Sequence, residues 1–208
     1  MKKLILAAAL MVSATTAFAD DWILRAGYGS VNPNDSSGPV LGNDGVSVDS
    51  DAQFAFSITY MFDKEWGVEV LGANPFSHMI TGTGALAGAS IGETSHLPPT
   101  ISAVYNMGND NFKYHVGVGI NYTKFYEDYV HPDAAALGVT DLDLSASTGL
   151  ALKAGFDMPI ADDFYFSGGV YYMMISTDAD VMVGSTVLTT VDVDIDPFVV
   201  FLGVGMTF

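Results

Sequence analysis

The 208-residue chain has no cysteine, and its 7 Lys and Arg residues stand against 24 Asp and Glu. Without cysteine, neither a disulfide framework nor a thiolate metal site can form. Past the N-terminus the chain also lacks the run of ~20 apolar residues that a membrane-spanning helix requires. Its longest uncharged stretch, Val70 to Gly92, holds Asn74, Pro75, His78 and five glycines. That density of helix breakers excludes a continuous spanning helix. Yet half of the residues are apolar. A chain this apolar without spanning helices can enter a membrane only as a closed barrel, because every backbone group in hydrocarbon must be paired.

The N-terminus reads as an address. Lys2 and Lys3 form a basic region, Leu4 to Val12 an apolar run, and Ala17-Phe18-Ala19 a small-x-small cleavage pattern. A secretory signal over residues 1–19 is expected, cleaved after Ala19, with a single barrel domain over residues 20–208. Its removal leaves 189 residues and takes the formal charge from −17 to −19.

Period-2 alternation recurs along the rest. In the last segment Phe198, Val200, Leu202, Val204, Met206 and Phe208 share one face, with Val199, Phe201, Gly203, Gly205 and Thr207 on the other. An apolar outer face against a smaller, mixed inner face is the pattern of a barrel strand. Seven more segments follow the rule, near residues 22–31, 52–62, 66–78, 97–107, 112–126, 147–158 and 164–176. Three links are short and rich in turn residues: Asp63-Lys64-Glu65, Gly108-Asn109-Asp110-Asn111 and Ile160-Ala161-Asp162-Asp163. The other four, near residues 32–50, 79–96, 127–146 and 177–195, are long. Short turns alternating with long loops match periplasmic turns and extracellular loops. The expected fold is all-β, an eight-stranded antiparallel transmembrane β-barrel of the bacterial outer membrane. Of the acids, only Glu69 and Asp157 fall well inside these strands, and alternation turns both inward, away from lipid.

Several runs resemble the OmpW family of outer-membrane proteins, which includes AlkL-type alkane-uptake barrels. They are Gly67-Val68-Glu69-Val70-Leu71, Pro75-Phe76, His96-Leu97-Pro98-Pro99-Thr100, Val116-Gly117-Val118-Gly119-Ile120-Asn121-Tyr122-Thr123, Asp141-Leu142, Asp196-Pro197-Phe198 and the terminal Phe208. The resemblance implies a narrow, largely apolar passage for passive uptake of small hydrophobic molecules, with sideways exit through the wall. An aqueous pore is not expected, because eight strands enclose little more than their own side chains or one small ligand. By family motif Leu71 and Tyr171 narrow the lumen; alternation also points both inward, where ordinary lumen packing is the alternative. The terminal Phe208 resembles the signal read by the barrel-assembly machinery. Two departures, Ser147-Thr148-Gly149 and Ser77-His78-Met79, mean that the chemistry of the outer mouth is not carried over.

Pro75 removes a ladder donor, which confines it to an edge, a bulge or a gap. With Pro98 and Pro99 it marks either a lateral opening between the third and fourth strands or simple strand termination. Arg25, Glu69, His115, Lys153 and Asp157 face inward and are expected to pair in a network, since unpaired charge in a tight lumen is costly. Val191-Asp192-Val193-Asp194-Ile195-Asp196 reads as a solvated ribbon beyond the membrane. With Asp178 and Asp180 it also offers oxygen ligands for Ca²⁺ or Mg²⁺ at the lipopolysaccharide surface. His78, His96, His115 and His131 show no metal-ligand spacing. Ser77, His78 and Glu69 are near in sequence, but alternation separates their faces, so no catalytic set is expected. The expected partners are small hydrophobic molecules, outer-membrane lipid and lipopolysaccharide, and the assembly machinery, with no cofactor, metal or nucleic acid and a monomeric state. The competing reading is a structural or adhesin-like barrel without transport.

Overall fold

A computed structural model of the chain describes residues 21–34, 36–37, 45–84, 87–109, 111–136 and 138–208. The expected signal segment lies outside the described residues. The strands are β1 Trp22–Asn32, β2 Ser36–Ser37, β3 Val46–Val48, β4 Asp51–Met61, β5 Trp66–Ala73, β6 Phe76–Gly82, β7 Ser90–Leu97, β8 Thr100–Asn109, β9 Phe112–Val130, β10 Asp141–Leu144, β11 Ser147–Ala161, β12 Phe164–Met173, β13 Ser176–Val183, β14 Thr186–Asp194 and β15 Phe198–Thr207. One short helix, α1, spans Pro132–Ala136.

Eight of these are barrel staves. The ring runs β1–β4–β5–β8–β9–β11–β12–β15, every neighbour antiparallel, and closes where β15 pairs with β1 from Ile23↔Thr207 to Asn32↔Phe198. At its lower end the first and last strands are tied together, with the Trp22 amide donating to the Phe208 carbonyl at 3.2 Å and the Phe208 amide returning the bond at 3.0 Å. Closure leaves no strand edge in the hydrocarbon, which is what a sheet needs to cross a bilayer.

The outer face is apolar because alternate positions are. Phe54, Phe56, Ile58 and Tyr60 are exposed while Ala55, Ser57 and Thr59 between them are buried. On β15, Leu202 is 53 % exposed and Phe201 4 %. Aromatic pairs collect at the lower rim, with centroids 4.9 Å apart for both Trp22–Tyr60 and Trp66–Tyr105 and 4.7 Å apart for Phe112–Tyr114. Tyr172 and Phe198, 5.0 Å apart, sit at the upper rim with exposed Tyr122. Such girdles mark the two membrane–water interfaces. Below the lower girdle, Asp63 accepts the amides of Trp66 at 2.7 Å and Glu65 at 2.8 Å, and these bonds hold its carboxyl below the usual value.

Two expectations are corrected. The long connections were read as loops, yet most of their described residues are strand. β6 and β7 form a hairpin carrying β3 on one side and the upper end of β9 on the other, and β10–β13–β14–β2 make a second sheet. These segments alternate too, with the opposite sense: Val191 is buried and Val193 and Ile195 half-buried, while Asp192 and Asp194 face outward. Above the girdle water lies outside and the apolar side turns in. Met206 is the second correction. Alternation assigns it to lipid, but it is buried, in register between Leu24 of β1 and Phe164 of β12.

This placement of the interface has a direct check. Leu202→Arg puts a charge at mid-height on the lipid face and should cost about 2–4 kcal/mol of unfolding free energy in bilayers. Leu188→Arg, on β14 above the girdle, should be near neutral despite its more exposed side chain. Comparable losses for both would contradict the assigned boundary.

Candidate functional site

The lumen is organised in levels, and its lower half is closed by charge. Arg25 donates to both carboxylate oxygens of Asp157, at 3.0 and 2.6 Å, and reaches Thr59 at 3.1 Å and Glu69 at 3.4 Å. Lys153 Nζ lies 2.6 Å from both oxygens of Glu69. Ser57 and Thr59 donate to Glu69 at 3.2 Å, and Ser167 to Asp157 at 2.6 Å. Every charged member is nearly fully buried. Of the five residues expected to form a lumen network, these bonds join Arg25, Glu69, Lys153 and Asp157 from β1, β5 and β11, with His115 of β9 beside them. His115 is the loosest member: its Nε2 is 3.8 Å from Asp157 and neither ring nitrogen has a hydrogen-bond partner. Glycine makes the space for these long side chains. A Cβ on Gly155 would collide with the His115 ring, and one on Gly117 would come within 2.8 Å of Lys153.

Leu71 and Tyr171 sit directly above this plug. The Tyr171 hydroxyl donates to Glu69 at 3.2 Å, and Lys153 Nζ lies 5.2 Å from its ring centre, so the ring is anchored to the network. Both residues line a small apolar cavity with Phe76, Met173, Val199 and Phe201. Gly72, Ala73 and Pro98 complete its wall on one side.

That side is where the ladder between the third and fourth staves is interrupted. β5 pairs with β8 from Trp66↔Tyr105 up to Leu71↔Thr100, and pairing resumes above as Phe76↔His96 on β6 and β7. Between these, no register pair joins residues 72–75 to residues 97–99 among the described residues. The outer flanks stay bonded. The Asn74 amide donates to Phe54 of β4 at 2.8 Å, and the Tyr122 amide of β9 donates to the Pro99 carbonyl at 3.0 Å. Asn121 adds side-chain bonds to the carbonyls of Pro98 and Pro99 at 3.1 and 3.4 Å. The three prolines thus border one short break in an otherwise continuous wall.

Above lies a second, larger apolar cavity walled by the inner faces of β3, β6, β7, β10, β13 and β14 and by Phe125 of β9. Ile80, Leu142, Val181, Val191, Val193 and Ile195 line it. Phe76, His96 and Phe125 stand as a row of rings between the two cavities, with centroids 5.7 and 5.8 Å apart. His96 also meets His78, Nε2 to Nε2 at 3.0 Å. Both histidines lie on the β6–β7 hairpin above the membrane girdle; burial, then the adjacent His78, push His96 down to about 3. On the outer surface Asp178 and Asp192 face each other across β13 and β14, and their shared hydrogen bond raises the Asp178 carboxyl.

Sequence reasoning missed the upper cavity. Its signal, the apolar half of the Val191–Asp196 alternation, was visible, but the acids drew the reading. It also missed Phe76, Phe125 and Met173 as lining residues, because their partners come from strands distant in sequence. Ser77, His78 and Glu69 are dispersed: Glu69 lies in the plug, His78 faces the upper cavity, and Ser77 Oγ meets Ser95 Oγ at 2.8 Å.

Comparison with known proteins places this geometry. A model of the OmpW family matches residues 19–208. Outer membrane protein W of Vibrio cholerae is 38 % identical, covering 100 % of both chains. The crystal structure of the outer membrane protein OprG from Pseudomonas aeruginosa superposes with a TM-score of 0.83 at 36 % identity, over 91 % of this chain and 96 % of that one. A Pseudomonas aeruginosa protein named for a dibenzothiophene metabolism operon, PahQ, is 25 % identical over 95 % of this chain and 93 % of its own.

The energetics of the plug are testable without any transport assay. Glu69→Ala leaves the buried Lys153 ammonium uncompensated and should cost about 3–5 kcal/mol. Glu69→Leu combined with Lys153→Met should recover most of that, because it removes both charges together. Urea unfolding in bilayers, read from Trp22 and Trp66 fluorescence, distinguishes the two; equal losses would show that the pair is not coupled.

Proposed function

Because the chain belongs to the OmpW family of outer-membrane proteins, we propose that its barrel admits small hydrophobic molecules from outside and releases them sideways into the membrane. The carrying observation is the arrangement of two apolar cavities above a lumen sealed by ion pairs, the lower one bordered by Gly72, Ala73 and Pro98 at the break in the ladder. A solute descending past the Phe76–His96–Phe125 row meets Leu71 and Tyr171 as a floor. Below that floor, bidentate Arg25–Asp157 and Lys153–Glu69 pairs oppose axial passage, and an apolar molecule gains nothing by displacing them. Lipid beyond the break is the favourable destination, by about 25 cal/mol for each Å² of apolar surface kept from water.

In this reading Leu71 and Tyr171 form the floor, Pro75, Pro98 and Pro99 frame the exit, and the ion-pair network is the stopper. The acidic outer face, on a chain of formal charge −17, disfavours anions and leaves neutral apolar cargo. The dibenzothiophene operon name of the Pseudomonas relative accords with cargo of that kind. Recognition of Phe208 by the assembly machinery, contact of the acidic ribbon with lipopolysaccharide, and a monomeric state belong to the same proposal. No catalytic step is assigned, since Ser77, His78 and Glu69 do not converge. A display barrel without transport is favoured by one observation, the plug, and the same experiment separates it from uptake.

Proteoliposomes carrying the protein should take up a neutral hydrophobic fluorophore faster than protein-free liposomes. Leu71→Trp fills the lower cavity and should bring the rate down toward the protein-free value. Wild-type uptake no faster than the lipid alone would overturn the transport reading, whereas equal wild-type and Leu71→Trp rates would overturn only the floor assigned to Leu71.

A further inference from the structure

We propose that His78 and His96 form a binding site for a late first-row divalent metal ion, Zn²⁺ or Cu²⁺, at the floor of the outer cavity. The two residues are 18 apart in sequence and become neighbours only through the register of the β6–β7 hairpin, in which His78 lies opposite Thr94 and Phe76 opposite His96. Both side chains point to the inner face, each is 3 % exposed, and both border the cavity. Their Nε2 atoms face each other at 3.0 Å. Metal–imidazole bonds of about 2.0–2.1 Å at angles between square-planar and tetrahedral hold two nitrogens roughly 3.0–3.4 Å apart. The spacing therefore fits, and seating an ion requires each ring to turn so that the two lone pairs, now along the Nε2–Nε2 line, converge on it.

The protonation pattern agrees. The Asp49 carbonyl, 2.6 Å from His78 Nδ1, can only accept, so Nδ1 carries the proton and the Nε2 lone pair points at His96. A metal-ligating histidine whose other nitrogen donates to a backbone carbonyl is the usual way a ligand ring is oriented. Without metal, His96 Nε2–H donates to that lone pair, and its Nδ1 has no partner. On binding, the His96 proton moves from Nε2 to Nδ1; both rings stay neutral and both Nε2 lone pairs face the ion. The Asp49 carboxylate, 3.9 Å from His78 Nδ1, offsets part of the added charge.

Two imidazole nitrogens select Zn²⁺ or Cu²⁺ over Ca²⁺ or Mg²⁺, which require oxygen ligands. Among the described residues no third histidine or acid completes the set. Water admitted to the cavity, or a donor atom on a solute, fills the remaining positions. The ion would pin β6 to β7 immediately above the break at residues 72–75 and 97–99. The site stands independently of whether solutes are transported.

The experiment is a titration of the folded full barrel in lipid bilayers with Zn²⁺ by calorimetry and with Cu²⁺ by electron paramagnetic resonance. The expected result is one ion per chain with nitrogen splitting from two imidazoles. His78→Ala and His96→Phe, the latter keeping a ring between Phe76 and Phe125, should each weaken binding about tenfold or more. His131→Ala removes the exposed His131–Asp133 pair, 3.5 Å apart, and should change nothing. Heat-dependent gel migration confirms that each variant is folded. No saturable binding by the wild type, binding unchanged in both hairpin variants, or loss only with His131→Ala would each overturn the site.

Discussion

A peptide group left unpaired in hydrocarbon costs several kcal/mol, and that single constraint shapes this molecule. It forces the staves into a ring and ties Trp22 to Phe208 at the seam between β1 and β15. It also makes any interruption of the wall expensive, so an interruption has to be built. Here residues that cannot pair, or need not, stand opposite one another: Pro75 on one side, Pro98 and Pro99 on the other. The bonds to Phe54 and from Tyr122 and Asn121 keep the flanks satisfied, which confines the break to one short stretch between the third and fourth staves.

The second organising feature is a reversal of polarity along the barrel axis. Within the membrane, apolar side chains face out and charges face in, where Arg25, Glu69, Lys153 and Asp157 compensate one another. Above the upper girdle the solvent outside is water, and the same period-2 alternation presents acids outward and Val191, Val193 and Ile195 inward. The result is a buried, charge-paired lower plug beneath an apolar upper cavity. The change from one regime to the other falls near the level of the ladder break.

Much of this was legible in the sequence, unevenly. The eight staves and their faces followed from alternation and from the contrast between short and long connections, because the environment on each face of a barrel strand repeats without exception over many residues. The inward charges followed for the same reason, since lipid tolerates so few. The upper sheet did not: Val191–Asp196 alternates as strictly as a stave, but its acids point to a solvated ribbon, and nothing in one strand reveals what its other face covers. Register was equally hidden. His78 and His96 carry no spacing signal, and only the hairpin pairing of β6 with β7 brings their rings together. Met206 obeys the alternation and is buried all the same by its neighbours Leu24 and Phe164, a packing effect at the rim.

The central proposal is that a solute passes from the outer cavity, past the Phe76–His96–Phe125 row, to the break between residues 72–75 and 97–99, and goes no lower. Solid-state nuclear magnetic resonance of the protein in bilayers, titrated with a small aromatic hydrocarbon, tests it most directly. The account predicts solute-induced shifts at Val193 and Ile195 in the outer cavity and at Gly72, Ala73 and Leu97 beside the break, with Arg25 and Asp157 unmoved. Shifts that run through Arg25 and Asp157 toward the lower rim, or that touch only outward residues such as Leu202, would contradict it.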